Sequence, residues 1–182
     1  MMKHTWTLLA VIGLAVSSAL ADTTYMSGVV TMTRLDLALG DQIIATGDLT
    51  IICDEDAIID GVILGDPGVR IEIRADNTIE IRGSIKAGNG ANGVDVEEAG
   101  ENGGDVVLNA TTIELRSSTI IAGAGGSAGP SGDGGDGGTV EFVYDVIYVD
   151  TNSKVQAGQG GMASMVSPWR PETADSAAQV AT

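Results

Sequence analysis

The sequence predicts an all-β chain: a single-stranded right-handed parallel β-helix with glycine-rich loops projecting from one side. Three observations predict it. The step Ile85-Lys86-Ala87-Gly88 returns as Ile120-Ile121-Ala122-Gly123 and as Val155-Gln156-Ala157-Gly158, 35 residues apart both times. A fixed period in this range marks a structural unit stacked on itself. Apolar–charged–apolar triplets recur within each unit, and Ile79-Glu80-Ile81-Arg82 matches Ile113-Glu114-Leu115-Arg116 almost letter for letter. Such a triplet puts two side chains on one face of a strand and the charge on the other. Finally, β-branched residues dominate, glycine interrupts often, and no 3.6-residue stripe persists, so helices are excluded. An antiparallel sandwich also explains short strands with turns between them, but it does not require the Ala-Gly step at constant spacing.

The elements follow in order. Lys3 and His4, the apolar run Leu8 to Val16, and Ala19-Leu20-Ala21 read as a signal peptide over 1–21, cleaved after Ala21. The run is too short to span a bilayer. Residues 22–46 alternate in strand fashion with little glycine and are expected to form an N-terminal β cap. The β-helix is expected over 47–161. It opens with short strands at Leu49-Thr50-Ile51, Ile58-Ile59 and Val62-Ile63-Leu64, the last stopped by the turn residues Gly65-Asp66-Pro67-Gly68. Three similar units follow, each with three short strands: Val69–Ile73, Ile79–Ile81 and Ile85–Ala87; then Val106–Leu108, Ile113–Leu115 and Thr119–Ile121; then Val140–Val143, Val146–Val149 and Lys154–Gln156. Three strands per unit would make a triangular coil. Residues 162–182 show no regular pattern and are expected to be disordered.

Glycine-dense loops separate the units. The second, Gly123 to Gly138, holds nine glycines in sixteen residues. Because the loops occupy corresponding places, they should lie beside one another. Chains without side chains approach closely, so the loops are expected to pack as extended, polyproline-II-like strands that pair their backbone groups.

Composition restricts chemistry. The whole chain carries a formal charge of −16, and loss of Lys3 with the leader makes it −17. Such a chain repels nucleic acid and anionic membrane surfaces; neither is expected as a partner. The one histidine, His4, leaves with the leader, which removes the usual general base and His-based triads and zinc sites. Cys53 is the one cysteine; among Leu49, Ile51, Ile52 and Ile58 it reads as an inert core thiol. The acidic groups Asp54-Glu55-Asp56 with Asp60, and Glu97-Glu98 with Glu101, define no catalytic separation. No catalytic or cofactor-binding residue is assigned. Calcium is the metal considered, because oxygen-only ligands suit it. Gly100–Leu108 partly resembles the nonapeptide calcium repeat of secreted β-rolls, and the run Gly132–Gly138 echoes it more weakly; Asp105, Asp133 and Asp136 are the candidate ligands. Phe142 and Tyr144 share one strand face and read as core or end cap before they read as a sugar-stacking platform.

The strand–Ala-Gly–glycine-loop pattern of Gly83–Gly104 and Ser118–Gly138 resembles that of exported bacterial parallel β-helix proteins, adhesin-like or pectin-lyase-like in fold. The resemblance covers about residues 47–161. Its lyase branch implies basic and calcium-binding acidic residues on an exposed strand face. Arg70, Arg74, Arg82, Lys86 and Arg116 lie near such faces, but no catalytic motif matches and no residue is carried over. The expected function is that of an exported, non-enzymatic structural or adhesin-like protein at the surface, outside the cell or in the periplasm. It would act through its faces and loops and self-associate end to end or through the loops. The alternatives are a polysaccharide-binding or polysaccharide-degrading protein and a calcium-stabilised module.

Overall fold

The structure, a computed structural model, describes residues 21–129, 132–159 and a strand at 163–166. The expected leader, apart from Ala21, and the expected tail, apart from that strand, lie outside the described residues. The described chain is all-β, without a helix among the described residues, and its strands join in one 12-stranded sheet. They are β1 (Thr23–Met32), β2 (Leu35–Leu37), β3 (Gln42–Cys53), β4 (Ala57–Ile59), β5 (Val62–Pro67), β6 (Ile71–Ile81), β7 (Ser84–Gly88), β8 (Val106–Leu115), β9 (Thr119–Ile121), β10 (Val140–Val149), β11 (Lys154–Gln156) and β12 (Ala163–Val166).

Every pairing is parallel, and the pairings form three ladders. The first runs from the start of β1 through the start of β3, β5, β7 and β9 to β11. The second runs from the end of β1 through the end of β3 and the first halves of β6, β8 and β10 to β12. The third joins β2, β4 and the second halves of β6, β8 and β10. The chain visits the ladders in this order, round after round. Several short strands expected to be separate run together: Val69–Ile73 and Ile79–Ile81 largely fall within β6, where a register shift between Ala75 and Thr78 changes ladder without ending the strand. The 35-residue period is composite. Gln42 faces Val62, Leu49 faces Ile71 and Ala57 faces Ile79, so early rounds take 20–22 residues. Ser84 faces Thr119 and Ile71 faces Val106 at 35 residues, and Ile79 faces Ile113 and Val106 faces Val140 at 34, so later rounds take 34–35. The difference is a glycine loop inserted between the first and second ladders, where the early round has only the turn Asp66-Pro67-Gly68-Val69. Gly68 carries φ +71° there, a conformation glycine adopts without steric cost.

Because register is kept, inward side chains stack on their own kind. Ile43, Ile63, Ile85 and Ile120 form one buried column; Ile51, Ile73, Leu108 and Phe142 form another; Ile59, Ile81 and Leu115 a third. Each such side chain removed from water contributes about 1.5–3 kcal/mol. Small residues hold the tight places, as with Cys53, Ala75 and Ala110. The recurrent Ala-Gly step has the same cause. Ala87 and Ala122 are buried, and a Cβ on Gly88, Gly123 or Gly158 would collide with the carbonyl of Asp66, Gly88 or Gly123 in the round before. Phe142 is core, 1% exposed, and the partly buried Tyr144 packs against the core cluster.

Cys53 is fully buried, and burial pushes its thiol up from 9.0 to about 11. The folded state therefore holds the thiol proton more tightly than the unfolded state. Its contribution is complete below pH 9 and is lost as the pH rises towards 11, by about 2–3 kcal/mol in total. Denaturation from pH 8 to 11 should show Cys53→Ser losing less stability across that window than the parent. An equal slope for both proteins contradicts this. The parent thiol should stay unreactive to alkylating reagents until the chain unfolds.

Candidate interaction surface

Two features of the surface carry enough organised groups to act: the stacked glycine loops and the charged strand face. The first loop leaves β7 and returns to β8; the second leaves β9 and returns to β10. Each has an outgoing limb (89–93 and 123–129) and a return limb (98–104 and 132–138). The limbs have no regular secondary structure of their own, yet their backbones are paired at three-residue intervals. Gly90 and Gly93 donate to the Ala124 and Ser127 carbonyls at 2.8 Å. Gly123, Gly126 and Gly129 donate to the Gly104, Glu101 and Glu98 carbonyls at 2.8–2.9 Å. Gly132, Gly135 and Gly138 donate to the Gly129, Gly126 and Gly123 carbonyls. A three-residue repeat is that of polyproline II, which has no internal hydrogen bonds and leaves its backbone free for neighbours. One residue in three faces the adjacent limb, and there a side chain has no room. A Cβ at Gly90, Gly103, Gly126 or Gly135 would fall closer than 3.0 Å to a backbone carbonyl oxygen. None of these glycines has positive φ, so space and not backbone conformation selects them.

Side chains add a second set of bonds that the sequence reading missed. Asn89 and Asn92 accept the Ala124 and Ser127 amides through Oδ1 at 2.9 and 2.8 Å. Asn102 and Asp105 accept the Asp136 and Thr139 amides at 2.8 and 2.7 Å. The signal was present: Asn-Gly occurs at 89–90 and 92–93, at the same three-residue step, and again at 102–103. At the tip of the first loop, Glu98 accepts the amides of Val94 and Asp95; these bonds, that from Asp95 foremost, hold its carboxyl below the ordinary value. Val94 and Val96 stand 79% and 72% exposed there.

The calcium candidates are distributed through this stack. Asp105 is bound by Thr139, whose hydroxyl also donates to its Oδ1 at 2.9 Å. Asp133 and Asp136 are exposed on the second return limb, and their backbone carbonyls accept the Gly100 and Gly103 amides. No group of three or more His, Cys, Asp or Glu positioned to hold a metal ion occurs among the described residues.

On the strand face, register sets Glu80 beside Glu114, a like-charge pair that arginines offset. Arg116 reaches Glu114 at 2.6 Å and Glu80 at 3.1 Å, and Arg82 reaches Glu80 and Asp60 at 3.2 Å. Arg70 and Arg74 close on Glu72 at 3.2 and 2.6 Å. Each exposed pair contributes about 0–1 kcal/mol. The four arginines are thus engaged by carboxylates in their own ladders. At the adjoining corner Ser117 takes φ 51°, and Asp150 holds the turn by accepting from the Ser153 hydroxyl and the Ser117 and Asn152 amides, which lower its carboxyl below the ordinary value. No helix among the described residues is long and apolar enough to cross a membrane.

Comparison with protein-family models, with curated proteins and with solved structures gave no match.

Proposed function

We propose that this chain is a triangular parallel β-helix, exported from the cell, that works without catalysis as a structural or adhesin-like protein presenting its glycine loops as a stiff ledge. The observation that carries the reading is the pairing of the two loops by backbone amides at every third residue. A ledge held this way is a shaped surface ordered by its backbone pairing, with asparagine and aspartate side chains adding to it. Its exposed groups are the valines and carboxylates of the tip and the Asp and Ser side chains of the second loop, which suits recognition of a surface or a glycan and offers no nucleophile with a base. The strand-face arginines point the same way, since ion pairing leaves them tied to Glu72, Glu80 and Glu114.

Three cysteine pairs test the winding, one on each ladder: Lys86→Cys with Ile121→Cys, Asn109→Cys with Val143→Cys, and Glu80→Cys with Glu114→Cys. Each pair consists of register neighbours, within the Cα separation of about 4.4–6.8 Å that a disulfide bridges. Oxidation should close all three within one chain. A sandwich would close at most one. Incubation with acidic and neutral polysaccharides should show binding without chain cleavage. Bond-breaking turnover that co-purifies with the parent and is lost in the Arg116→Ala or Glu80→Ala variant would overturn the non-catalytic reading.

A further inference from the structure

The first round leaves an open end. β1 pairs only with β3 and β2 only with β4 among the described residues, so the outer edge of both presents backbone donors and acceptors without strand partners. Proteins guard such edges with charge, proline or short length. β1 has none of these: Thr23 to Met32 is 10 residues without a charge or a proline. Behind it the end of the core opens into a concavity of about 550 Å³. Its apolar lining includes Met26, Val30 and Met32, all half-buried, with Leu35, Leu37 and Ile43 behind. Its rim carries Asp22, Asp36 and Asp41 on one side of the balance and Arg34 on the other.

We infer that a second copy of this chain closes this end, in a two-fold dimer that joins β1 to β1 and β2 to β2 antiparallel. The pattern of β1 is self-complementary under that operation. Register with β3 puts Thr24, Met26, Val30 and Met32 on the inward side. Centring the antiparallel pair on Gly28, at the register shift where the strand passes between ladders, sets Met26 opposite Val30 of the second copy and Thr24 opposite Met32. Inward residues meet inward residues, and each concavity is sealed by apolar side chains. The same operation places Asp22 opposite Arg34 twice, once at each end of the paired strands. Asp41 lies beside Asp22, whose amide it accepts at 3.1 Å, so Arg34 meets an acidic corner. A two-fold interface of this kind is isologous and closes at two copies. At the other end the outer edge is divided among β11, three residues long and beginning with Lys154, the four-residue β12 and the second half of β10. Asp36 lies at the centre of β2 and faces its own counterpart, a like-charge contact that Arg34, at 3.2 Å from it, relieves.

The two-fold pairing rests on the winding proposed above, because only there do β1 and β2 border one end of one core. The test is sedimentation equilibrium on the protein recovered after expression of the full chain, with the start of the chain fixed by mass spectrometry. The parent should have twice the monomer mass at micromolar concentration. Arg34→Glu should weaken the dimer about tenfold or more, because it sets like charges against each other twice. Asp36→Asn should tighten it several-fold, an effect that a folding defect does not produce. Val30→Lys should give monomer. A monomeric parent, a ladder of growing oligomers, or a dimer indifferent to Arg34→Glu and Asp36→Asn overturns the inference; the last outcome points to the glycine loops instead. The three disulfides, formed in the same preparation, separate the two readings. Closure of all three in a monomer leaves the winding and removes the dimer, whereas their failure removes both.

Discussion

Alanine at Gly126 should cost about 1–3 kcal/mol, the range for forcing atoms into a packed site, while alanine at Gly134 should cost nothing. The two positions lie in the same loop and carry the same residue. Gly126 sits between limbs: its amide donates to the Glu101 carbonyl at 2.8 Å, and an added Cβ would collide with the Ala91 carbonyl. That oxygen belongs to backbone paired on both sides, so it has nowhere to move. Gly134 faces away, and its Cβ would lie 3.6 Å from the Gly126 carbonyl, an ordinary contact. Without positive φ at this position, alanine there restricts the unfolded chain and should add about 0.4–1 kcal/mol. Thermal and urea denaturation measure the first difference. Hydrogen exchange locates it: Gly126→Ala should release protection at Gly129 and Gly135 and leave β6 and β8 protected. Equal losses for both variants would mean that the loops do not stack.

The second large effect belongs to the core. Ile79 is fully buried between Ala57 and Ile113 in the third ladder. Truncation to alanine removes its methyl groups and leaves a cavity, because fixed register prevents the neighbouring rounds from closing up. The expected loss is about 2–5 kcal/mol. Val155 occupies a half-buried place in the last rung of the first ladder, with Ile120 on one side. Val155→Ala should cost well under half as much, and Glu141→Ala, outside the core, should stay within about 0.5 kcal/mol. Urea midpoints at unchanged m-value read all three. If Val155 proved as costly as Ile79, stability would not be summed rung by rung along the stack.

Much of this was legible in the residues. Apolar alternation at Ile79-Glu80-Ile81 and Ile113-Glu114-Leu115 gave the strands and their register partners, because a parallel ladder places like on like. The Ala-Gly step marked the corresponding corner in three rounds, because a small residue and a residue without Cβ are needed where successive rounds nearly touch. Other parts were hidden. Rounds of 20–22 residues could not be seen behind a 35-residue repeat until Gly65-Asp66-Pro67-Gly68 was recognised as the short form of the same connection. The pairing roles of Asn89, Asn92 and Asn102 escaped because asparagine beside glycine reads equally well as a turn.

By itself, then, the sequence determined the all-β class, the 35-residue parallel spacing of the first ladder's later strands and the expected burial of Cys53, since each follows from periodicity or from the company a residue keeps along the chain. Only the tertiary structure decided which glycines are jammed and which are free, that Arg116 bridges Glu80 and Glu114, and that β1 has no strand on its outer side among the described residues. Those depend on which carbonyl, carboxylate or strand lies across the gap, and that group belongs to a distant part of the chain.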